Sequence, residues 1–306
     1  MLDYASLSAI AAVVHEGSFE RAARVLNVTP SAISQRVKQL EERLGCVLIV
    51  RGQPCRATAT GRLLCRHAEQ VGLLEQDLRG ALPGLTQAGI SEQRSMLRVA
   101  VNADSLGTWF IAAMAAFLES GTSLLDVALD DEEHTIEWLR SGAVLAAVTG
   151  NARPVQGCNS IALGRLRYVA AASPAYVRRY FKSGVNAASL AGAPTLTFNR
   201  KDRLQAQWMR RLCRRTIDAP THWLPSTQAF IDAAMAGVGW GMNPRALIEP
   251  HLRAGTLVPL APGSDLLISL YWQHTRLAVP MLARLTGCVV TAARHALESK
   301  SLRKSG

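Results

Sequence analysis

Residues 18–45 read SFERAARVLNVTPSAISQRVKQLEERLG. The spacing predicts two short helices joined by a tight turn. Phe19, Ala22, Ala23 and Leu26 fall on one face of the first, as an amphipathic helix requires. Asn27 and Val28 make the turn. Thr29 suits the N-cap, where its hydroxyl can accept from a free helix amide. Pro30 suits the first helical position, where no amide hydrogen is needed. Ile33, Val37, Leu40 and Leu44 share one face of the second helix, and Gly45 can end it in the left-handed conformation. The opposite face carries Ser31, Gln35, Lys38 and Glu42, with Ser34 and Gln39 on its flanks. Short polar side chains beside a capped N-terminus suit entry into a DNA major groove: Ser and Gln can bond base edges and Lys can meet phosphate. Ser18, Thr29, Ser31, Ser34, Gln35 and Lys38 are the candidate DNA contacts of this pair. The same pattern also fits an amphipathic helix pair in a bundle.

The flanking segments extend this reading. Ser6 to His15 predicts a preceding helix, with Leu7, Ile10, Ala11 and Val14 facing one way. VLIVRGQPCRAT (47–58) reads as strand, turn and return, the outline of a wing. Arg51 in that wing can reach phosphate or the minor groove, and Arg56 is as readily a solvated arginine. Thr58 then caps a long helix to about Leu82, with Leu64, Ala68, Val71, Leu74 or Glu75, Leu78 and Leu82 at intervals of three and four. That seam suits helix–helix pairing between two copies. PGLTQAGISEQRS (83–95) reads as a linker or hinge.

From Met96 the pattern alternates between strands and helices. MLRVAVNA, LLDVAL, VLAAVTG, RYVAAA, TLTF, HWL, GWGMN and LLISLYW read as strands. Helices are expected at Ser105–Leu118, Thr135–Ser141, from Pro174, at Asp202–Arg215, at Ser226–Ala236 and from Val279 to about Glu298. This argues for α/β architecture with largely parallel sheets, in two lobes whose cleft takes a small molecule. GVGWG (237–241) follows a helix and enters a strand, the reverse of a dinucleotide-binding fingerprint. Asn243 and Pro244 look like the cap and first residue of the next helix.

Composition narrows the classes further. The net charge is +11, yet residues 1–58 hold 7 Lys/Arg against 5 Asp/Glu, whereas residues 163–264 hold 14 against 4. Bulk charge is therefore weak evidence for the helix-turn-helix as a DNA site. The six cysteines are scattered without metal-ligand spacing, which predicts free thiols and no metal. The N-terminus lacks a basic-then-apolar leader pattern, and the most apolar run, Trp109 to Leu118, is too short to span a bilayer. A cytoplasmic protein with no membrane partner is expected. The seven histidines are dispersed and there is no Gly-x-Ser-x-Gly motif, so an enzyme is not expected. An effector-independent DNA-architectural protein remains an alternative. A periplasmic binding protein would leave residues 1–88 unexplained.

FERAARVLNVTPSAISQRVKQLEERLG, then LIVRGQPCRATATG, then the long helix and the two α/β lobes, together resemble the LysR-type transcriptional regulators. VNADSLGTWF (101–110), FNRKDRLQ (198–205) and GVGWGMNP (237–244) are similar to the branch that regulates basic amino-acid exporters. One departure is Ala57 to Thr60, where family members usually read Leu-Thr before the helix glycine. The resemblance implies a winged helix-turn-helix domain (1–58) and a linker or dimerisation helix and hinge (59–88). It also implies a periplasmic-binding-protein-like effector domain (89–306), with lobe I at about 89–162 and 265–298 and lobe II at about 163–264. It implies a homodimer or homotetramer on double-stranded promoter DNA, with RNA polymerase as a candidate further partner. The implied ligand is a lysine-, arginine- or histidine-like effector, with no other cofactor.

A carboxylate-bearing effector would suit the start of the helix after Asn102, where Asp104 or Ser105 can cap and free amides remain. Ser105 is the candidate for the effector carboxylate, with Asn102 assisting. Trp109, one turn on, floors the cleft or joins the core. A cationic end needs acids: Asp202, after strand TLTF in an otherwise basic lobe, and Asp131 among Asp130 to Glu133. Either can instead be a helix-start acid. Thr149, Ser226 and Thr227 are further polar candidates at element ends.

Overall fold

The computed structural model describes residues 3–81, 96–119, 123–129, 132–277 and 279–299. They form two compact units, one built mainly from residues before Leu97 and one from the rest.

In the first unit, helix α1 (Tyr4–Glu16) is capped by the Asp3 carboxylate, which accepts from the amides of Ala5 and Ser6. Ser18 caps α2 (Phe19–Val25), and Asn27 turns the chain at φ +51°. Thr29 caps α3 (Pro30–Leu44) by accepting from the Ala32 amide at 3.2 Å, and Gly45 ends it at φ +68°. Ile10, Val13, Ala22, Ala23, Ile33, Val37, Leu40 and Leu48 close a buried core between the three helices. Strands β1 (Ile49–Val50) and β2 (Arg56–Ala57) form the expected antiparallel wing. The Glu41 carboxylate fixes its root by accepting from the amides of Leu48 (2.7 Å) and Ile49 (3.2 Å).

Helix α4 (Ala59–Ala81) starts where the Thr58 hydroxyl accepts from the Gly61 amide at 3.1 Å and donates to the Val47 carbonyl at 2.9 Å. Leu64 was expected in a dimer seam, but it packs with buried Cys65 against the helix-turn-helix core. Leu74 and Leu78 are exposed at 43% and 53%, so the candidate seam begins further along. Leu82 and the expected hinge at 83–95 lie outside the described residues. A Cβ on Gly61 would sit 2.1 Å from the Leu48 carbonyl oxygen. Gly61→Ala should therefore destabilise this unit by roughly 2 kcal/mol or more. Urea unfolding of the two forms checks this, and equal midpoints would show that the backbone yields easily.

In the second unit, β3 (Met96–Val101) leads into α5 (Ala103–Ser105). The helix continues through a π turn (Leu106–Phe110) into α6 (Ile111–Leu118). Then come β4 (Leu124–Leu129), α7 (Glu132–Ser141) and β5 (Ala146–Thr149). Strand β6 (Cys158–Ala172) is fifteen residues long and continues far upstream of the expected RYVAAA. Beyond it lie α8 (Pro174–Tyr180), α9 (Ala187–Gly192), β7 (Thr195–Thr197), α10 (Leu204–Cys213), β8 (Thr221–Trp223) and α11 (Thr227–Met235). They are followed by β9 (Gly241–Pro244), α12 (Arg245–Arg253) and β10 (Val258–Pro259). The chain returns along β11 (Leu266–Thr275) and ends in α13 (Pro280–Ala296).

The expectation of largely parallel sheets needs correction. β3 and β5 pair parallel, as do β7 and β8, but β6 pairs antiparallel with β9, β10 and β11. The cause is the connection between lobes: the chain crosses once along β6 and returns along β11. The β6–β11 register shifts between Leu270 and Tyr271, opposite Gly164 at φ +139°. Lobe I packs around Ala100, Leu139, Val144 and Ala147, and lobe II around Val169, Leu196, Phe230, Ile231 and Ile248. The next helix, α12, starts one residue later than expected: Pro244, not Asn243, stands at its N-cap position, with no side-chain cap bond. Asn243 and Pro244 finish β9, and the Asn243 amide donates to the Gly241 carbonyl. Gly239 does allow close packing, since a Cβ there would lie 2.8 Å from Leu196.

Candidate functional site

Two surfaces carry the candidate residues. On α3, Ile33, Val37 and Leu40 are buried while Ser31, Gln35 and Lys38 are exposed and Ser34 is half-buried. Lys38 pairs loosely with Glu42 at 3.6 Å, an exposed contact that holds little in place. The Thr29 hydroxyl both caps α3 and touches the Ser31 hydroxyl at 3.0 Å. Ser18 is engaged locally, donating to Glu20 at 2.6 Å and accepting from the Arg21 amide. The Arg51 guanidinium lies over the Phe19 ring, 5.2 Å from its centroid, which ties the wing to α2.

The second surface is a narrow cleft of about 30 Å³, lined in part by Asp104, Phe198, Asp202, Thr227, Phe230 and Asn243. The lobes are drawn together across it. Tyr168, on β6 beside β9, donates its hydroxyl to the Asp104 carboxylate at 2.7 Å. Burial pushes the Asp104 carboxyl up to about 6. The Tyr168 hydrogen bond opposes that rise, and the Asp202 charge adds to it. Burial and the neighbouring Asp104 charge hold the Tyr168 phenol well above its ordinary range, so it stays a donor. Asp202 accepts from the Phe198 amide (3.2 Å) and the Leu204 amide (2.9 Å), which shapes the turn into α10. A carboxylate has roughly four acceptor positions, so two remain.

The other candidates are placed as follows. Asn102, not Asp104 or Ser105, caps the helix: its side chain accepts from the Ser105 amide at 2.7 Å. With the cap at Asn102, Ser105 falls inside the first turn and is fully buried. The Ser105 hydroxyl has no partner among the described residues. Trp109 is buried edge-on against Phe110 and is a core residue. Thr149 is buried at the end of β5 and accepts from the Asn151 amide. Ser226 caps α11 through the Ala229 amide, and Thr227 next to it lines the cleft. Asp131 lies outside the described residues. Sequence reasoning missed Tyr168, which reads as part of an apolar strand. Among the described residues, no helix is long and apolar enough to cross a membrane.

Comparison with known proteins places this geometry. Residues 4–62 match the bacterial regulatory helix-turn-helix proteins of the lysR family, and residues 91–294 match the LysR substrate binding domain. The chain is 43% identical over 303 residues to the HTH-type transcriptional regulator LysG of Mycobacterium tuberculosis, covering 99% of this chain and 97% of that one. It is similar to the crystal structure of ArgP from the same organism, with 43% identity and a TM-score of 0.82, over 98% of this chain and 100% of the other. It is also similar to full-length LysG from Corynebacterium glutamicum with bound effector arginine. The identity there is 36% and the TM-score 0.71, over 97% and 100% of the two chains. The helix-turn-helix, the long helix and the two-lobed unit thus belong together: this chain is a member of the LysR family of transcriptional regulators, a non-enzymatic protein related to LysG and ArgP.

Proposed function

We propose that this regulator binds a free basic amino acid, lysine, arginine or histidine, in the cleft between its lobes. It thereby controls transcription of an amino-acid exporter or a related transport or metabolic gene. The observation that carries this reading is the placement of Asp104 and Asp202 in one cleft. Among the described residues neither carboxylate is in an ion pair, and the Asp202 charge raises the cost of ionising Asp104. An ammonium or guanidinium relieves that cost. The arginine-bound relative supports the same ligand class. The effector carboxylate falls to the unpartnered Ser105 hydroxyl and the first-turn amides not taken by Asn102. Thermal unfolding in the presence of each of the twenty amino acids tests the ligand class. Only the basic ones should raise the midpoint.

Asp104 gives the site a pH signature. In the folded chain it holds its proton up to about pH 6, against an ordinary value of 3.8. Between those values the folded chain keeps a proton that the unfolded chain has lost. Stability therefore falls as pH rises through this window, and the loss is complete above pH 6. Asp104→Asn should accordingly raise the ligand-free melting temperature at pH 7.5, with the difference vanishing near pH 4. The same variant should bind arginine and lysine more weakly. A variant less stable than the parent at pH 7.5 would mean that the carboxylate is not a burden on the empty cleft.

On DNA, Ser31, Ser34, Gln35 and Lys38 are read as the groove-facing set and Arg51 as a phosphate contact of the wing. Gln35→Ala should cost about 1–3 kcal/mol on the preferred site if its amide pairs with a base edge. Arg51→Ala should weaken all sequences alike and lower the salt slope by about one phosphate. Gel-shift titrations on specific and random duplexes separate the two. Equal losses on both duplexes for Gln35→Ala would remove its reading role.

A further inference from the structure

Lobe II carries an exposed basic stripe that the cleft does not use. Arg203, Gln207, Arg210 and Arg214 recur at intervals of four, three and four along α10 and its caps, so they share one side of the helix. All four are exposed, whereas Gln205, Trp208 and Met209 on the other side are buried. Over the eleven steps from Arg203 to Arg214 the stripe runs about 16 Å. Arg211 and Arg215 flank it, also exposed. Arg211 only reaches the Asp265 carbonyl, at 3.3 Å. Arg200, just upstream, stacks over the exposed Trp223 ring at 5.1 Å. The side chains of Arg203, Arg210 and Arg214 have no ion pair or hydrogen bond among the described residues. Asp202, the acid beside Arg203, has turned its carboxylate to the amides of Phe198 and Leu204.

Cations near a helix C-terminus complement its dipole, which accounts for part of this pattern. The dipole does not favour Arg203 at the N-terminal end. Nor does it explain why lobe II as a whole holds 14 basic residues against 4 acidic ones. A row of unpaired guanidiniums repels itself unless an anion lies along it. The matching partner is a polyanion of regular spacing. A DNA strand offers a phosphate about every 3.4 Å of rise, so several fall within the stripe.

We propose that the α10 stripe of lobe II is a second, sequence-independent contact to the phosphate backbone of DNA, additional to the helix-turn-helix. It rests on this chain being a DNA-binding regulator and not on the identity of the effector. The test uses the full chain with a photocrosslinking residue at Gln207, and separately at Gln35. Each is irradiated with a mixed-sequence duplex long enough to pass beyond the helix-turn-helix, about 60 base pairs. Both probes should crosslink to DNA. The triple variant Arg203→Gln, Arg210→Gln, Arg214→Gln should lower the salt slope on that duplex by about 2 to 3, at roughly 0.9 per phosphate. Its affinity at low salt should fall at least tenfold, with circular dichroism unchanged. Failure at Gln207 with success at Gln35 overturns the proposal and leaves the helix-turn-helix reading intact, as does an unchanged salt slope in the triple variant. Failure at both positions overturns both. An acidic protein as the true partner of the stripe would produce the first of these failures.

Discussion

The double variant Val71→Asp with Leu78→Asp should be monomeric at micromolar concentration and should lose high-affinity binding to a palindromic site. The two positions lie one heptad apart on α4, beyond the turns that pack on the helix-turn-helix core. In the single chain Leu78 is 53% exposed and Leu74 43%, and a second copy of the helix is the simplest cover for such residues. At 23 residues the helix is about 35 Å long, enough for several layers of contact. Each dimer would bury four carboxylates without partners, at a cost of several kcal/mol. Sedimentation of the variant and the parent measures this directly. A variant that stays dimeric and still binds the palindrome would place the seam elsewhere.

Asp202→Asn should weaken binding of arginine or lysine by about ten- to a hundredfold, the 1.5–3 kcal/mol typical of a hydrogen bond to a charged group. Asn keeps one acceptor oxygen for the amide of Phe198 or Leu204, so the turn into α10 should survive. DNA binding without effector should be nearly unchanged, because the substitution leaves both the helix-turn-helix and the α10 arginines in place. Unchanged arginine affinity in this variant would move the cationic end of the ligand to another part of the cleft.

The N-terminal unit was legible because its determinants are local. Thr29, Pro30, Asn27 and Gly45 each fix a cap or turn within a few residues, and Ile33, Val37 and Leu40 are buried as the period of α3 requires, whereas Leu44, expected on the same face, is exposed at the helix end. The effector domain was legible in element order but not in sheet direction. CNSIALGRLR, the first part of β6, mixes polar residues with Gly164 and lacks a clean alternation. Its strand character comes from pairing with β11, about a hundred residues later. Asp202 could be nominated because it is an acid at a strand end in a basic lobe. Tyr168 could not, since only the fold brings its hydroxyl to Asp104, 64 residues away in sequence. The cap of the first effector-domain helix fell two or three residues earlier than expected for a similar reason. Asn, Asp and Ser all cap well, and the choice among Asn102, Asp104 and Ser105 depends on where β3 releases the chain.

The most direct test of the cleft reading is isothermal titration of the unmodified full chain with lysine, arginine and histidine, with leucine and glutamate as neutral and acidic controls. At least one basic amino acid should bind saturably. Near pH 6 that binding should release protons as Asp104 gives up its hydrogen to face the cation, and the controls should give no heat. Absence of binding by all three basic amino acids at millimolar concentration would contradict the account, while leaving the LysR fold and its helix-turn-helix in place.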